Sequence, residues 1–478
     1  MRFSALLLML TVAAGISAAT QRATVPAADK APTFSAAIAP ILYANCVTCH
    51  RPGEAAPFPL ISYEDVAKRA KLIVKVTGSR YMPPWHAAHG FGDFADERRL
   101  TDDQIDVFGR WLKAGMPRGD LSKLPALPQF ADGWQLGKPD LILEMPAAFN
   151  VPAEGPDIYR NFVLPTGLSD DKWIRAVEFR PSARKVVHHA LFSYIRGGAV
   201  NAVANADGQP GFRGGMPLAL IPGFAPAGEL GGWAVGTTPR FLPEGLARPI
   251  AKGSDLILQL HFHPTGKPET EKSVVGLYFS STPPERRLMT PSIPGFFGLL
   301  AWIDIPPGEK AFTIKGVYTV PADMRVLSVT AHAHYLGKDI KATATKPDGS
   351  IEPLLWIQDW DFTWQDRYDY KTPVFLPKGT RIDATITYDN SADNPHNPCN
   401  PPRRVKWGIQ SLDEMGAVGF LMVAANKEDE EALRQQGGAM LKAALKQAAQ
   451  SDAVKQYLSQ QQRFLDDVNR DTADACAR

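Results

Sequence analysis

From residue 136 onward, apolar residues fall into short runs broken by glycine and proline. "DLILEM", "KVVHHALFSYI", "SDLILQLHFHP", "SVVGLYFS", "AFTIKGVYTV", "RVLSVTAHAHYL", "RIDATITYD" and "GAVGFLMVAA" are rich in β-branched residues. Runs of this length, bounded by turn formers, predict β-strands. Together they predict a mainly β protein with two tandem antiparallel β-sandwiches of roughly 140 residues each. The proline-containing stretch "STPPERRLMTPSIPG" predicts the break, with one sandwich over 136–290 and the other over 300–426.

Upstream the period changes. In "TDDQIDVFGRWLKAGMPRGD", Ile105, Phe108, Trp111 and Leu112 recur at helical spacing. Thr101 predicts the N-cap, with Asp102 and Asp103 in the first turn. Gly115 and Pro117 predict the end. A small all-α unit is therefore expected over 33–120, followed by a proline-containing linker over 121–135. Beyond residue 427 the chain is rich in Ala, Gln, Lys and Glu, which predicts a helical extension over 427–478. The opening "MRFSALLLMLTVAAGISAAT" places Arg2 before an apolar stretch that ends in small residues. This is the pattern of a secretory signal peptide over 1–19. The stretch is shorter than the ~20 residues that a membrane span needs. The mature chain is expected to be exported, periplasmic or extracellular, with no membrane span.

Composition changes this picture little. Hydrophobic content of 45% and charged content of 21% suit an ordinary folded domain. Lys+Arg 52 against Asp+Glu 50 gives a net charge of +2 with no basic block, which argues against a nucleic-acid partner. Gly 39 and Pro 41 agree with many turns and short strands.

The chemistry begins with Cys46-Val-Thr-Cys49-His50, the pattern of c-type haem attachment. Two thiols at this spacing can bond the haem vinyl groups while His50 reaches the iron from the same side. A sixth ligand is expected from "RYMPPWHAAHG". Met82, followed by two stiffening prolines, is favoured, with His86 and His89 as alternatives. Cys399 and Cys476 remain and could form one disulfide, a geometry that sequence leaves open.

Six of the other nine histidines fall in strand-like runs, as His188–His189, His261 with His263 in "LQLHFHP", and His332 with His334. Residues i and i+2 of a strand share a face, so His332 and His334 can bind one metal side by side. Imidazoles within apolar strands are costly unless paired or metal-bound. His188 and His189 point to opposite faces of a regular strand, so both can ligate one metal only where the backbone bulges. Trp356, Trp360 and Trp364 read as sandwich core with a loop packed on it. No histidine follows Cys399, which excludes a blue-copper site.

The run His188–His189, "LQLHFHP", "AHAHYLGK" and "GIQSLDEM" resembles the copper type II, ascorbate-dependent monooxygenases over about 136–425. The leading haem unit looks like bacterial members of that superfamily. The resemblance implies jelly-roll-like sandwiches, two copper ions, and one c-type haem on Cys46, Cys49, His50 and Met82. It assigns His188, His189 and His261 to an electron-storing copper. It assigns His332, His334 and Met415 to the catalytic copper where O2 is used. Imidazole suits copper, and a thioether favours Cu(I). His263 shares the face of His261 and reads as a supporting or surface residue, while Met422 is an alternative to Met415.

The implied reaction is hydroxylation of a C–H bond of an organic substrate. Electrons would come from ascorbate or an exported redox protein and pass through the haem. Thr330, Ala417 and Gly419 stand where peptide-hydroxylating members carry arginine, asparagine and tyrosine. A C-terminal peptide carboxylate is therefore not expected as substrate. Gly416 replaces a cysteine of that family, so a local disulfide is absent. A zinc enzyme on the same scaffold, or a non-catalytic electron carrier joined to a copper-binding protein, are the alternatives.

Overall fold

A computed structural model describes residues 31–54, 56–130, 133–155, 157–200, 204–213, 228–408, 411–435 and 476. The expected signal peptide and most of the expected C-terminal extension lie outside these residues. Four short helices come first: α1 (Ala39–Asn45), α2 (Tyr63–Ala67), α3 (Ala70–Gly78) and α4 (Asp102–Lys113). They close on a small core that includes Phe34, Leu42, Val66, Ile73, Phe108 and Trp111. Helix α4 starts with a reciprocal cap, in which Thr101 accepts from the Gln104 N–H and Gln104 accepts from the Thr101 N–H.

The first β region holds β1 (Leu141–Glu144), β2 (Phe149–Val151), β3 (Ile158–Pro165), β4 (Lys172–Arg180), β5 (Val187–Arg196) and β6 (Phe212–Arg213). It continues with β7 (Gly228–Ala234), β8 (Arg248–Ile250), β9 (Ser254–Phe262), β10 (Glu269–Glu271) and β11 (Val274–Phe279). A five-stranded sheet, β6-β3-β9-β5-β7, faces a four-stranded sheet, β1-β11-β4-β8. Leu258, Leu260 and Ala190 from the first meet Leu143, Phe179 and Leu277 from the second in one core. Strand β9 is buried along its whole length, its polar residues Ser254, Asp255, Gln259 and His261 included, so it shows no alternation of buried and exposed positions.

The second β region holds β12 (Ser292–Ile293), β13 (Asp304–Ile305), β14 (Phe312–Thr319), β15 (Met324–Ala333) and β16 (Gly337–Thr345). It ends with β17 (Ile351–Ile357), β18 (Arg367–Leu376), β19 (Arg381–Tyr388), β20 (Val405–Lys406) and β21 (Gly416–Ala424). Sheets β12-β21-β15-β18 and β14-β19-β16-β17 enclose the larger core. This region begins before the expected residue 300. β12 pairs with β21, and Met289 already bridges Met422. Backbone pairing extends past the proline stretch, whose composition had suggested a linker.

The helical unit is also less separate than its sequence suggests. Segment 87–95 leaves it and bridges Ile357 of β17 and Tyr370 of β18, the edges of the two facing sheets. Ala87 and Phe94 join the core of the second β region. Two exposed edges are thereby covered by a borrowed segment. The stretch expected as a linker is pinned as well, with Arg51 stacked 3.9 Å over Phe130 and Arg180 5.0 Å over Trp134. Cys399 and Cys476 form a disulfide across 77 residues of sequence. Residues 427–435 are helical, and Leu433 is buried in the second core. Among the described residues no helix is long and apolar enough to cross a membrane.

Segment 204–213, which follows β5, is pinned by charge. Arg160 is 1% exposed and donates both Nη groups to Asp207 at 2.8 Å. That guanidinium holds Asp207 down to about 2, against a usual 3.8. A depressed carboxyl contributes stability that is full above pH ~4 and is lost as the pH falls towards 2. Asp207→Asn should cost about 2 kcal/mol at pH 7. This is below the ~3–5 kcal/mol of a fully buried broken pair because Asp207 is partly exposed to solvent. Urea melts of both proteins should converge between pH 4 and pH 2, and a constant gap would refute the linkage.

Candidate metal centres

Strands β5 and β9 lie side by side with His189 opposite His261. The register slips between Val187 and His189, leaving His188 in a bulge. This resolves the geometric problem of adjacent histidines, since the bulge turns His188 to the same side as His189. The three Nδ1 atoms stand 3.1, 3.3 and 3.3 Å apart. A metal bonded to each at about 2.0–2.1 Å in tetrahedral geometry sets its nitrogens about 3.3 Å apart. The cluster fits such an ion without rearrangement.

The far side of each ring fixes its tautomer. His188 Nε2 donates to the Thr363 carbonyl at 3.1 Å, and His261 Nε2 donates to Asp157 at 2.7 Å. Asp157 also accepts from His263 Nδ1 at 2.8 Å. His263 thus stands behind the cluster, linked through the carboxylate. Burial opposes ionisation of Asp157, but its bonds to His261 and His263 win and hold it below the usual carboxylate range. Burial, then the charge of His261, pushes His188 down to about 3. The same two causes push His189 well below its usual value. Both rings are neutral at pH 7, the form that binds metal.

A second histidine pair lies at the end of β15, His332 within the strand and His334 just past it. The rings of His332 and His334 are 5.2 Å apart and mutually perpendicular. His332 Nδ1 donates to Gln365 at 2.7 Å, and His334 Nδ1 donates to the Asp413 carbonyl at 3.0 Å. Both rings are left with Nε2 to offer. Burial lowers the pKa of His332, with the Gln365 bond opposing it. Strand β21 pairs Ala333 with Gly416, the last rung of the ladder, and His334 and Met415 are the residues next to that rung on the two chains. Met415 is 1% exposed. Met422 lies opposite Val326, well down the strand from the histidines.

Glu414, Tyr388 and Trp360, none of which the sequence marked as a support for the ligands, hold this pair in place. Buried Glu414 accepts from the backbone N–H groups of His334 at 2.9 Å, Leu336 at 2.6 Å and Met415 at 3.2 Å. Burial pushes Glu414 up to about 8 against the pull of those donors. Tyr388 donates its hydroxyl to the Met415 carbonyl at 2.8 Å. A Cβ on Gly416 would stand 2.0 Å from that hydroxyl, so only glycine fits beside Met415. Trp360 donates to the His334 carbonyl at 3.1 Å.

The two clusters share one loop. Phe362 lies 5.8 Å from His188, 6.2 Å from His261 and 5.6 Å from His334, ring to ring. Thr363 and Gln365 hold His188 and His332 from the same loop. Tyr159 stacks on His261 at 4.2 Å and bonds Ser411, beside the Met415 segment, at 2.9 Å.

Cys46, Cys49 and His50 lie on one turn that continues α1. The N–H groups of His50 and Cys49 bond the Cys46 carbonyl at 2.9 and 3.2 Å. His50 Nδ1 donates to Phe58 O at 3.0 Å, leaving Nε2 as a lone-pair donor. Burial, then Cys49, pushes the Cys46 thiol up to about 12, and burial also raises Cys49. These thiols are not a low-pKa redox pair. They fit thioether attachment, with His50 as the adjacent axial ligand.

Among the described residues no hydrogen bond, ring contact or shared cavity joins Met82 to His50. Met82 lines a small separate cavity of about 40 Å³. His86 donates Nδ1 to the Asp359 carbonyl at 3.2 Å, and its buried Nε2 has no partner. His89 is tied to Glu97 at 3.2 Å. No contact among the described residues places Met82, His86 or His89 at His50; of the three, His86 offers a buried ring nitrogen without a partner.

Cys49, His189 and His332 all line one cavity of about 1160 Å³ between the helical unit and the two β regions. This exceeds the roughly 300–1,000 Å³ of ordinary small-molecule clefts. Arg98 stands at the junction, bonded to Asp366, to the Gly236 carbonyl at 3.3 Å and to the Pro84 carbonyl at 3.2 Å.

No family model matches the chain. MOXD1 homolog 1 of Drosophila melanogaster is 21% identical over 169 residues, covering 33% of this chain. The chain spans 24% of that relative's length. Among solved structures, the major capsid protein P2 of bacteriophage PM2 overlaps 58% of this chain and 97% of its own, with a TM-score of 0.23 and 7% identity. The VP2 subviral particle of infectious bursal disease virus overlaps 61% and 73%, at 0.17 and 11%. Allantoicase overlaps 57% and 80%, at 0.15 and 8%. Scores this low carry no argument.

Glu414→Ala should lower copper affinity at the His332/His334/Met415 site about 10–100-fold, the usual effect of losing a group that supports metal ligands. Copper titration should show the three-histidine site unchanged, whereas equal loss at both would refute a local role. His86→Ala should convert the haem spectrum from six-coordinate low-spin to high-spin, and Met82→Ala should not. The reverse pattern would restore Met82.

Proposed function

We propose that this chain is an exported copper-dependent monooxygenase that hydroxylates a C–H bond of an organic substrate with O2, fed by its own c-type haem. The observation that carries this reading is the shared cavity, whose wall holds Cys49, His189 and His332. When bound, the haem and two copper ions supply the one-electron chemistry and O2 reduction that the side chains lack. The distant likeness to MOXD1 homolog 1 supports the family resemblance.

The roles of the residues follow from their contacts. His188, His189 and His261 present three Nδ1 atoms that would hold the electron-storing copper. His332, His334 and Met415 present two imidazoles and a thioether to the copper where substrate is oxidised. Asp157 and Gln365 fix the orientation and protonation of two of these rings. Phe362 fills the space between the two sets and excludes water there. Cys46, Cys49 and His50 would hold the haem, which would supply one-electron transfer from an external donor, ascorbate or an exported redox protein.

The test is copper per haem. The protein, exported with haem maturation and loaded with copper, should bind two type 2 coppers per haem. His188→Ala or Met415→Ala should reduce this to one. The loaded protein should consume O2 only with an oxidisable substrate. Zero copper, or zinc in its place, would overturn the proposal.

A further inference from the structure

The chain as a whole is nearly neutral, yet its main cavity is not. Eight arginines and no lysine line it, against four carboxylates. Three of those carboxylates are already engaged. Glu54 takes Arg51 and Arg184, Asp366 takes Arg98, and Glu178 takes the Gln135 and Leu136 N–H groups. A low-dielectric cleft lined by one sign of charge concentrates counter-ions of the other.

We propose that this cavity binds an organic anion, a carboxylate or sulfonate, between Arg248 of the first β region and Arg367 of the second. This deepens the monooxygenase reading and rests on it for the reaction, though not for the binding. Arg248 lines the cavity and donates to the Glu229 carbonyl at 3.2 Å. Among the described residues no carboxylate lies within ion-pair distance of it. Burial weakens its hold on its proton, nearby Glu229 opposes this, and neighbouring Arg367 adds to it. Arg367 is already paired with Asp369 at 3.0 Å. Arg248 is therefore the cation of the two without an ion-pair partner, and an anion beside it is stabilised by both guanidinium groups.

The anion's position is tied to the catalytic row by strand register. Arg367 lies directly across from Thr330, and Thr330 shares a strand face with His332. An anion at Arg367 therefore places the rest of the molecule along the small residues Thr330 and Gly419, towards His332. Gly419 keeps this wall open, since a Cβ there would stand 2.7 Å from the Thr330 hydroxyl. Two further polar groups mark the same path. The hydroxyls of Ser193 and Ser292 line the cavity, are buried and have no hydrogen-bond partner. Polar groups buried in this way ordinarily find a partner, and a bound ligand supplies one.

The haem propionates are the other source of negative charge, and the experiment separates the two. The exported, haem-matured protein is titrated calorimetrically with n-octanoate, n-octanesulfonate and 1-octanol, without copper. Both anions should bind at least about tenfold more tightly than the alcohol, the effect of one charge-assisted hydrogen bond. Arg248→Gln and Arg367→Gln should each weaken anion binding about tenfold or more and leave 1-octanol unchanged. Arg248→Lys should retain part of the affinity. Haem content and visible spectrum should match wild type in every variant. Equal binding of octanoate and octanol, or unchanged affinity in both glutamine variants, would overturn the proposal. So would loss of haem or a shifted haem potential in Arg248→Gln, which would assign these arginines to the propionates. Because binding is read without copper or O2, failure of the monooxygenase reading leaves this result intact.

Discussion

Three imidazoles can meet at one point only if a strand gives up its regular pairing. The slip in register at His188 does this, and the rest of the site is arranged around it. A regular strand would send His188 to the opposite face and leave two ligands where three are needed. The bulge carries its own energetic penalty, an unpaired backbone residue and neutral rings buried against one another. Asp157, Thr363 and the stacked Tyr159 offset that penalty by satisfying the outer edges of the rings.

The second set of ligands is held by a different device. Here the histidines obey the two-residue period of β15, and the difficulty is to bring a methionine from another strand. Glu414 solves it by collecting backbone donors from both partners, so that β15 and the start of β21 are set by one carboxylate. The loop through Trp360, Phe362, Thr363 and Gln365 then ties this arrangement to the first. The two centres are neighbours in one polar and aromatic network, although the strands that bear them belong to different cores.

Much of this was readable from the chain. Alternating and continuous apolar runs marked the strands, and the Cys46–His50 spacing marked the haem turn. The paired imidazoles at His332 and His334 followed from period two alone. Other features left no local trace. Asp157 acts on His261, 104 residues away, and looks like any loop aspartate. Glu414 resembles a surface acid until its three backbone donors are seen. The loop around Phe362 was legible as apolar and aromatic, but a hydrophobic pattern cannot show that it lies between two ligand sets. The choice among Met82, His86 and His89 was not legible for a related reason. Two prolines after Met82 announce a stiff loop but do not say which side chain faces the Cys46–His50 turn, and the hydrogen bond of His86 runs to the second β region.

Segment 87–95 gives the molecule a character that a row of domain boundaries conceals. It starts in the helical unit and finishes as cladding on both sheet edges of the second β region, with Phe94 in that region's core. The helical unit is thus part of the wall of the second β region. In evolutionary terms, such a unit is no interchangeable cassette. A lineage that discarded it would also have to repair the exposed flank it left behind, and a foreign helical domain spliced in its place would find no seat.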